Sequence, residues 1–363
     1  MFGYKGYSAH LIMFNAIKND ILNTNISISK KIWAYRRGFL GFRAQVFEIN
    51  ETNYLKYIPD FDYFKLHPIN GKYSKWIDDK LIIKYLLSKF DKYLPAYYFQ
   101  IVDGKIIKLM DCPKEISSDF DGLYRILKEK GTLALKLIVG SRGKGFYKLT
   151  HHNGKYYLNM KKISKYQLQN HLNSLNDYIV TEYIFSHKII RNLYNATPNA
   201  VRIQLIKGKN SKIFITESHI KIGTKESGIY EHAAAGAIFA KVNIKSGQLT
   251  DAYRIDRNKL RYYDFHPDTK LPLQISLPHW TFIKSQLKKI FEYIPQLSYL
   301  GFDIIITDDG FKIIEINSLS ALLFPSYFYP HFENETLKTF FGDIVKNNPK
   351  NFDRIIKRLE KKL

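Results

Sequence analysis

The segment that most constrains the fold is a hairpin pattern near the carboxyl end, GFDIIITDDGFKIIEINS at residues 301–318. Its isoleucine-rich runs predict one strand over Asp303–Thr307 and a second over Phe311–Asn317, and Asp308-Asp309-Gly310 is the turn between them. Glu315 and Asn317 are two residues apart, so their side chains leave the same face of one strand. The hairpin places Asp303 across from them on the partner strand.

Three side chains with oxygen atoms are therefore expected to meet at the open end of an apolar hairpin. Asp303, Glu315 and Asn317 form a ligand set that suits Mg²⁺ held together with nucleotide phosphates and water. The alternative is a hairpin whose acidic end is simply solvated. Spacing alone does not separate the two interpretations.

The net charge of +23, from 56 Lys and Arg against 33 Asp and Glu, limits the classes of partner. Three explanations of this charge compete. The protein binds nucleic acid, or it binds anionic small substrates or an anionic membrane surface, or lysine merely fills surface positions. The sequence contains no compact block of Lys and Arg, and it shows no zinc-finger, RRM or KH pattern. We therefore expect anionic substrates, with an anionic membrane surface as a further partner, and no specific nucleic acid.

One cysteine, Cys112, excludes an intrachain disulfide framework and a site with several cysteine ligands. The first twenty residues contain only a four-residue apolar run and no signal-peptide core, and no window resembles a membrane span. These features predict a cytoplasmic protein, with the inner face of the membrane as an alternative location.

The pattern of strands and helices predicts an α+β protein with several parts. A helix is expected over 75–90, an antiparallel α+β unit over 96–185, and a second one from 199 onward with longer strands. The divisions are residues 1–95, 96–185, 186–345 and 346–363. The last part is a basic amphipathic helix, which we expect to pack against the body; a place on a membrane surface is the alternative. Its apolar stripe is Phe352, Ile355, Ile356, Leu359 and Leu363.

A glycine-rich loop in TLALKLIVGSRGKGFYKLT, residues 132–150, is the second candidate for binding chemistry. A strand that carries Lys136 leads into Gly140-Ser141-Arg142-Gly143-Lys144-Gly145, and another strand returns. Glycines let backbone amides approach a phosphate closely, so the loop can cover phosphates as a flap. The alternative is an ordinary glycine-rich hairpin loop, because the loop matches neither common nucleotide-binding motif.

Together, and in this order, these pieces resemble the ATP-grasp superfamily, in the branch associated with sugar transfer and surface-polysaccharide genes, which includes teichuronopeptide-type ligases. The resemblance covers roughly residues 75–320 and is most specific in TEYIFSHKIIRNLYNATPNAVRI (181–203), HPDTK and LPHW (266–280), and 300–318. Ser186 and Ala200 depart from the Gln and Thr that are usual there. Glu231-His232 and Ala235-Gly236 depart from an Asp-Asn and a Gly-Gly pair.

The resemblance implies an ATP-grasp fold, in which two α+β lobes with antiparallel sheets grip ATP and Mg²⁺ after an N-terminal region. It implies that Asp303, Glu315 and Asn317 hold Mg²⁺, and that Arg202 faces the transferred phosphoryl group. It places Lys136 and, more weakly, Lys221 on phosphates, and His187 near the ribose. The implied flap is Ser141, Gly143, Lys144 and Gly145, and the implied adenine segment is Glu182, Tyr183 and Ile184.

The implied function is an ATP-dependent carboxylate–amine ligase that acts through an acylphosphate in surface-polysaccharide assembly. Its partners would be an anionic small-molecule or glycan-linked carboxylate and an amine. The alternatives are a phosphotransferase on the same fold and a nucleotide-binding scaffold without catalysis. The sequence names neither substrate and leaves the oligomeric state open.

Overall fold

The computed structural model describes residues 9–140, 145–320, 330–346 and 351–360. Within these ranges the strands form two antiparallel sheets of seven strands each. Strand order is β2-β1-β7-β3-β4-β5-β6 in the first sheet and β12-β11-β10-β9-β8-β13-β14 in the second. The strands are β1 (Tyr97–Val102), β2 (Lys105–Lys108), β3 (Thr132–Leu137), β4 (Tyr147–His152), β5 (Lys155–Leu158), β6 (Lys161–Ile163), β7 (Tyr178–Glu182), β8 (Val201–Lys207), β9 (Ile213–Ile222), β10 (Ile238–Val242), β11 (Leu249–Asp256), β12 (Lys259–Tyr262), β13 (Tyr299–Thr307) and β14 (Gly310–Asn317).

Helices precede the first sheet, cover both sheets and follow the second. They are α1 (Ala9–Leu22), α2 (Ile28–Arg36), α3 (Gly41–Val46), α4 (Asp60–Leu66), α5 (Lys75–Asp78), α6 (Lys80–Leu86), α7 (Phe120–Lys130), α8 (Lys165–Asn173), α9 (Lys188–Leu193), α10 (Trp280–Glu292), α11 (Glu335–Lys346) and α12 (Asp353–Glu360). This arrangement confirms the expected α+β class with antiparallel sheets. The divisions at 95, 185 and 345 stay predictions.

Side-chain alternation places a large apolar core on one face of each sheet and the charged side chains on the other, polar face, beside smaller apolar clusters. In β3, Leu133 and Leu135 join the core beneath α7 and α8, while Lys136 points to the opposite face. In β8, Val201 and Ile203 join the core beneath α10, and Arg202 lies on the other side. The polar faces are therefore the surfaces on which binding groups can gather.

The predicted helix over 75–90 is wrong as a continuous element. It is divided at Asp79, whose extended backbone (φ −105°, ψ 115°) ends α5 and whose carboxylate accepts hydrogen bonds from the Leu81 and Ile82 amides at the start of α6. A 3₁₀ turn over Ser88–Tyr93 follows. A capping aspartate thus stops one helix and begins the next, which the apolar periodicity alone does not reveal.

The predicted hairpin is present, with its first strand longer than expected. β13 begins at Tyr299 because its first six residues pair with β8, from Tyr299 opposite Ile206 to Ile304 opposite Val201. Thr307 pairs with Gly310 at the other end, so Asp308 and Asp309 make the turn.

The C-terminal helix packs against the body, as expected. Phe352 and Ile355 are buried in a core that also contains residues of α4, α11 and the second sheet, and Ile356 and Leu359 pack against it. Leu363, predicted to continue the apolar stripe, lies outside the described residues. Among the helices of the described ranges, none is long and apolar enough to cross a membrane.

Candidate active site

A row of charged side chains crosses the polar face of the second sheet. Asp303 on β13 lies directly opposite Glu315 on β14 and opposite Arg202 on β8. Antiparallel neighbours in direct register have Cβ atoms about 5 Å apart, so these groups share one surface. The pairing confirms that Asp303 lies across from Glu315, and it adds Arg202 to the same row.

Arg202 and Lys221 hold Asp303 firmly. Arg202 Nε and Nη2 donate to Asp303 Oδ1 and Oδ2 at 2.6 and 2.7 Å, and Lys221 Nζ donates to Oδ1 at 3.2 Å. Burial alone would raise the pKa of the Asp303 carboxyl, but the two cations more than offset it and hold that pKa well below its usual range. Asp303 is therefore ionised, and Arg202 is oriented by a bidentate contact.

Lys80, which the sequence reading missed, completes the row beyond Glu315. Its Nζ lies 3.4 Å from Glu315 Oε1 and donates to the Gly140 carbonyl at 3.1 Å. Lys80 is the first residue of α6, so the helix break at Asp79 decides where it points. No local pattern marks this lysine, because its role depends on α6 packing against β14.

Asp303, Glu315 and Asn317 fit a divalent cation by their chemistry. Glu315 is one-quarter exposed, and the buried Asn317 Nδ2 makes no hydrogen bond within the described chain. Mg²⁺ is well matched by two carboxylates and an amide oxygen on one face, provided that phosphate oxygens complete its coordination shell. In the described ranges no group of three or more His, Cys, Asp or Glu side chains is placed to hold a metal by itself. The predicted ligand set thus depends on substrate oxygens.

Lys136 reaches the same cleft from the first sheet. Burial, and then the nearby charge of Lys80, lower the pKa of Lys136 to about 8, while Glu315, Glu231 and Asp303 act in the opposite direction. Its ammonium has no hydrogen-bond or ion-pair partner among the residues that the structure describes. Lys136 therefore lies near enough to the row on the second sheet for Asp303 and Glu315 to act on its charge.

The glycine loop is described only at its ends. Gly145 has φ +70°, and a Cβ there would lie 2.5 Å from the Tyr178 hydroxyl and 2.8 Å from the Leu137 side chain, so glycine is required. Ser141, Gly143 and Lys144 lie outside the described residues, and their role as a phosphate flap stays a prediction.

The predicted adenine segment follows β7. The Glu182 amide donates to the Ala96 carbonyl at 2.8 Å, and the Glu182 carboxylate accepts from the Ala96 amide at 3.2 Å, so Glu182 fastens the strand. Tyr183 and Ile184 are both 6% exposed, and their amides make no hydrogen bond within the described chain. Lys148 lies 4.5 Å from the centre of the Tyr183 ring. Free backbone amides beside buried apolar side chains are compatible with a purine edge.

His187 lies at the turn end of the hairpin, away from the Arg202–Asp303 contact. Its Nδ1 accepts from the Ile189 amide at 3.2 Å as the cap of α9, and its Nε2 is 3.9 Å from Asp308 Oδ1. The imidazole thus has a structural function of its own, and its predicted position near a ribose stays untested.

Glu231 is a further residue that the sequence reading left without a role. Its carboxylate accepts hydrogen bonds from the Asn199 and Ala200 amides at the start of β8. Burial raises the pKa of this carboxyl, and Lys221 and the two amides act against that rise. Glu231 therefore anchors the strand that carries Arg202.

A comparison with curated protein sequences gives no match. The fold is similar to an L-amino acid ligase from Bacillus licheniformis (8% identity, TM-score 0.41, 82% of this chain and 52% of that one). It is also similar to D-alanyl-alanine synthetase A from Vibrio cholerae (12% identity, TM-score 0.39, 78% of this chain and 63% of that one). A third similar structure is the biotin carboxylase domain of Hydrogenobacter thermophilus 2-oxoglutarate carboxylase (12% identity, TM-score 0.41, 80% of this chain and 47% of that one).

The chain thus spans about half to just under two-thirds of the length of these solved structures. The sequence itself matches the family described as sugar-transfer associated ATP-grasp over residues 63–327, which is more than half of the chain. The match includes both sheets and every residue of the charged row. The chain belongs to the sugar-transfer associated ATP-grasp family and has the ATP-grasp fold.

Proposed function

We propose that this protein is an ATP-dependent carboxylate–amine ligase that forms an acylphosphate intermediate. The observation that supports the proposal best is the gathering of four cationic side chains around the hairpin carboxylates. Within the described chain, Lys80, Lys136, Arg202 and Lys221 lie around Asp303 and Glu315, with the carboxyl groups of Glu231 and Asp78 nearby. Four cations at one site suit the triphosphate of ATP.

Each cation has a place in such a complex. Lys136 has no hydrogen-bond or ion-pair partner among the described residues and would contact the α- and β-phosphates. Lys80 and Lys221 already touch the hairpin carboxylates, and a phosphate can share or replace those contacts. Tyr183 and Ile184 would hold adenine through their backbones, and residues 141–145 would cover the phosphates.

Asp303, Glu315 and Asn317 would hold Mg²⁺. When bound, the ion would neutralise charge on the β- and γ-phosphate oxygens. The contribution of the protein is then largely positional, since Arg202 and Lys221 fix the Asp303 carboxylate in one orientation before any ligand binds.

The chemistry has two steps. A substrate carboxylate oxygen attacks the γ-phosphorus, a new P–O bond forms, and the bond to the β–γ bridging oxygen breaks so that ADP leaves with the electron pair. The amine nitrogen then attacks the acyl carbon, phosphate departs, and the nitrogen loses a proton. Arg202 would stabilise the charge on the transferred phosphoryl oxygens, because a guanidinium can contact two of them at once.

A screen of sugar acids and amino acids against amines, with ADP release as the readout, tests the proposal. Hydroxylamine added with ATP and the active acid should yield a hydroxamate, and an ¹⁸O-labelled carboxylate should pass one label to inorganic phosphate. If a hydroxyl compound alone consumes ATP and keeps the phosphate, the enzyme is a phosphotransferase and the ligase proposal fails.

We also propose that the acid is carried on a surface-polysaccharide intermediate and that the enzyme works at an anionic membrane face. The C-terminal helix cannot supply the contact, since its apolar side is buried. The N-terminal helices α1 and α2 instead expose large apolar side chains, Leu11, Phe14, Ile21, Leu22, Ile28 and Ile32. The protein should sediment together with vesicles that contain anionic lipid, and changing Phe14 and Leu22 to serine should abolish this sedimentation. Vesicle binding that survives both changes would exclude the α1 and α2 surface as the membrane contact.

A further inference from the structure

The segment that leaves β14 turns back towards the charged row instead of continuing the strand. Ser318 follows Asn317, the last residue of β14, and the Ser320 hydroxyl accepts a hydrogen bond from Arg202 Nη1 at 3.1 Å. Gly301, which pairs with Asn317, leaves room for this turn, since a Cβ there would lie 2.8 Å from Ser320 Oγ. Asn317 therefore stands where the strand pairing ends and the chain bends.

The direction of the Asn317 side chain is not fixed by the strand alone. Its Nδ2 is buried and has no hydrogen-bond partner in the described parts of the chain. The pairing register also shifts between Asp303 and Ile304, so Ile314 is an extra residue in the pairing of β13 with β14. A bulge of this kind bends a strand and changes the direction of the side chains beside it. What holds the end of β14 therefore decides where Asn317 points.

Asp78, the last residue of α5, holds this end of β14 from outside the sheet. Its Oδ1 accepts from the Ser318 amide at 3.2 Å, and its Oδ2 accepts from the Ser318 hydroxyl at 2.8 Å. Burial raises the pKa of the Asp78 carboxyl, and the two hydrogen bonds from Ser318 act against that rise. Hydrogen bonds to an ionised carboxylate are stronger than neutral ones, so the contact fixes both the position and the orientation of Ser318.

Lys80 holds the same strand from the other side of the helix break. Its Nζ lies 3.4 Å from Glu315 Oε1, and its amide donates to the Ile138 carbonyl of the first sheet at 3.1 Å. The break between α5 and α6 is thus fastened to the first sheet and touches the second sheet at two points. Asn317 lies between those two points along the chain.

We infer that Asp78 is a positioning residue of the metal site. By fixing Ser318 it sets the direction in which Asn317 leaves the end of β14, while both of its own oxygens are engaged by Ser318. The inference rests on the proposed function, since it concerns the ion that Asp303, Glu315 and Asn317 would hold. Partners that orient a metal ligand in this way commonly contribute about 10–100-fold to metal affinity.

Binding of Mn²⁺–ADP to the full-length protein tests the inference without an acid or an amine. The enhancement of water-proton relaxation by bound Mn²⁺ measures the affinity. Asp78→Ala should weaken binding about 10–100-fold. Asp78→Asn should restore most of it, because asparagine can accept from the Ser318 amide and donate to the Ser318 hydroxyl. Unchanged binding in Asp78→Ala would overturn the inference, and so would equal weakening by both variants, which would assign the effect to the charge of Asp78.

Ser318→Ala tests whether Asp78 acts through Ser318, and it decides the question if Asp78→Ala does not fold. It removes the hydroxyl contact and keeps the charge of Asp78, so Mn²⁺–ADP affinity should fall by a smaller factor than in Asp78→Ala. Unchanged affinity would refute the inference. Asp119→Ala is the matched control, because Asp119 also accepts from one amide, of Gly122, and one serine hydroxyl, of Ser117, at the start of α7. This variant should bind Mn²⁺–ADP like the natural protein, and an equal loss there would assign the effect to general destabilisation.

Turnover separates the positioning role from the function on which it rests. If Asp78→Ala and Ser318→Ala weaken Mn²⁺–ADP binding as expected and no pair of acid and amine is coupled by the natural protein, the positioning role stands and the ligase function falls. If a pair is coupled and Asp78→Ala binds Mn²⁺–ADP like the natural protein, the positioning role falls alone. Failure of the natural protein to bind Mn²⁺–ADP would contradict both.

Discussion

Replacing Arg202 by lysine separates the charge of this residue from its geometry. Arg202 makes two contacts with Asp303 and a third, at 3.1 Å, with the Ser320 hydroxyl. One lysine ammonium can keep a single contact with Asp303. The loss of one charged and one neutral-acceptor hydrogen bond should lower the free energy of unfolding by about 2–4 kcal/mol. Since domains are commonly stable by about 5–15 kcal/mol, the variant should remain folded.

The effect on catalysis should be larger than the effect on ATP binding. If Arg202 contacts the phosphoryl group in the transition state, Arg202→Lys should lower kcat about 10²–10³-fold, as removal of a preorganised donor does, and leave KM for ATP within a factor of about three. The assay is ADP release that depends on the acid substrate, together with the yield of hydroxamate. Urea unfolding of the same preparation measures the loss of stability.

Ser320→Ala is the matched control, because it removes the third contact of Arg202 and leaves the guanidinium in place. It should cost stability with little change in kcat. A kcat for Arg202→Lys close to that of the natural protein, in a variant shown to be less stable, would mean that Arg202 only supports the fold around Asp303. The transition-state role would then be wrong.

Three further predictions concern charge. Glu315→Gln should abolish turnover with little loss of stability, since the ion pair of Glu315 with Lys80 is partly exposed. Asp309→Asn, in the exposed turn of the same hairpin, should stay active. Equal activity of the two variants would exclude Glu315 as a metal ligand. The pKa of Lys136 is lowered to about 8, and a bound triphosphate would raise it. Above pH 8, ATP binding should therefore be accompanied by uptake of a proton on Lys136. Below pH 8 the lysine is already protonated, so the proton uptake should fade. Calorimetry in buffers of different ionisation enthalpy measures this uptake, and its persistence in Lys136→Met would assign it elsewhere. Finally, DNA binding should be weak and should fall steeply with added salt. Tight, sequence-selective DNA binding near physiological salt would overturn the assignment of the +23 charge to other partners.

The sequence predicted the hairpin and its acidic end because both are local features. Two isoleucine-rich runs and a two-residue turn define the hairpin, and the i, i+2 spacing of Glu315 and Asn317 puts both on one face of a strand. The family resemblance then added Arg202 and Lys136, which the structure brings towards that face from β8 and β3. The structure places Arg202 and Lys221 directly on Asp303, a contact between strands that are about a hundred residues apart.

The remaining parts of the site depend on packing between distant elements, which local patterns do not encode. Lys80 reaches Glu315 only because Asp79 divides a helix and turns α6 onto β14. Glu231 anchors the start of β8 from a loop that lies 32 residues beyond Asn199 in the sequence. No local motif predicts this contact, which is visible only in the folded chain, where the Glu231 carboxylate accepts two backbone hydrogen bonds.

The order of residues along the polar face of the second sheet gives a physical reason for placing the phosphoryl chemistry there. Glu315, Asp303, Arg202 and His219 occupy directly paired positions on β14, β13, β8 and β9. Side chains at paired positions lie about 5 Å apart, and the backbone hydrogen bonds of the sheet hold that spacing. Two carboxylates and a guanidinium are therefore kept side by side before any ligand binds, so binding does not have to bring them together.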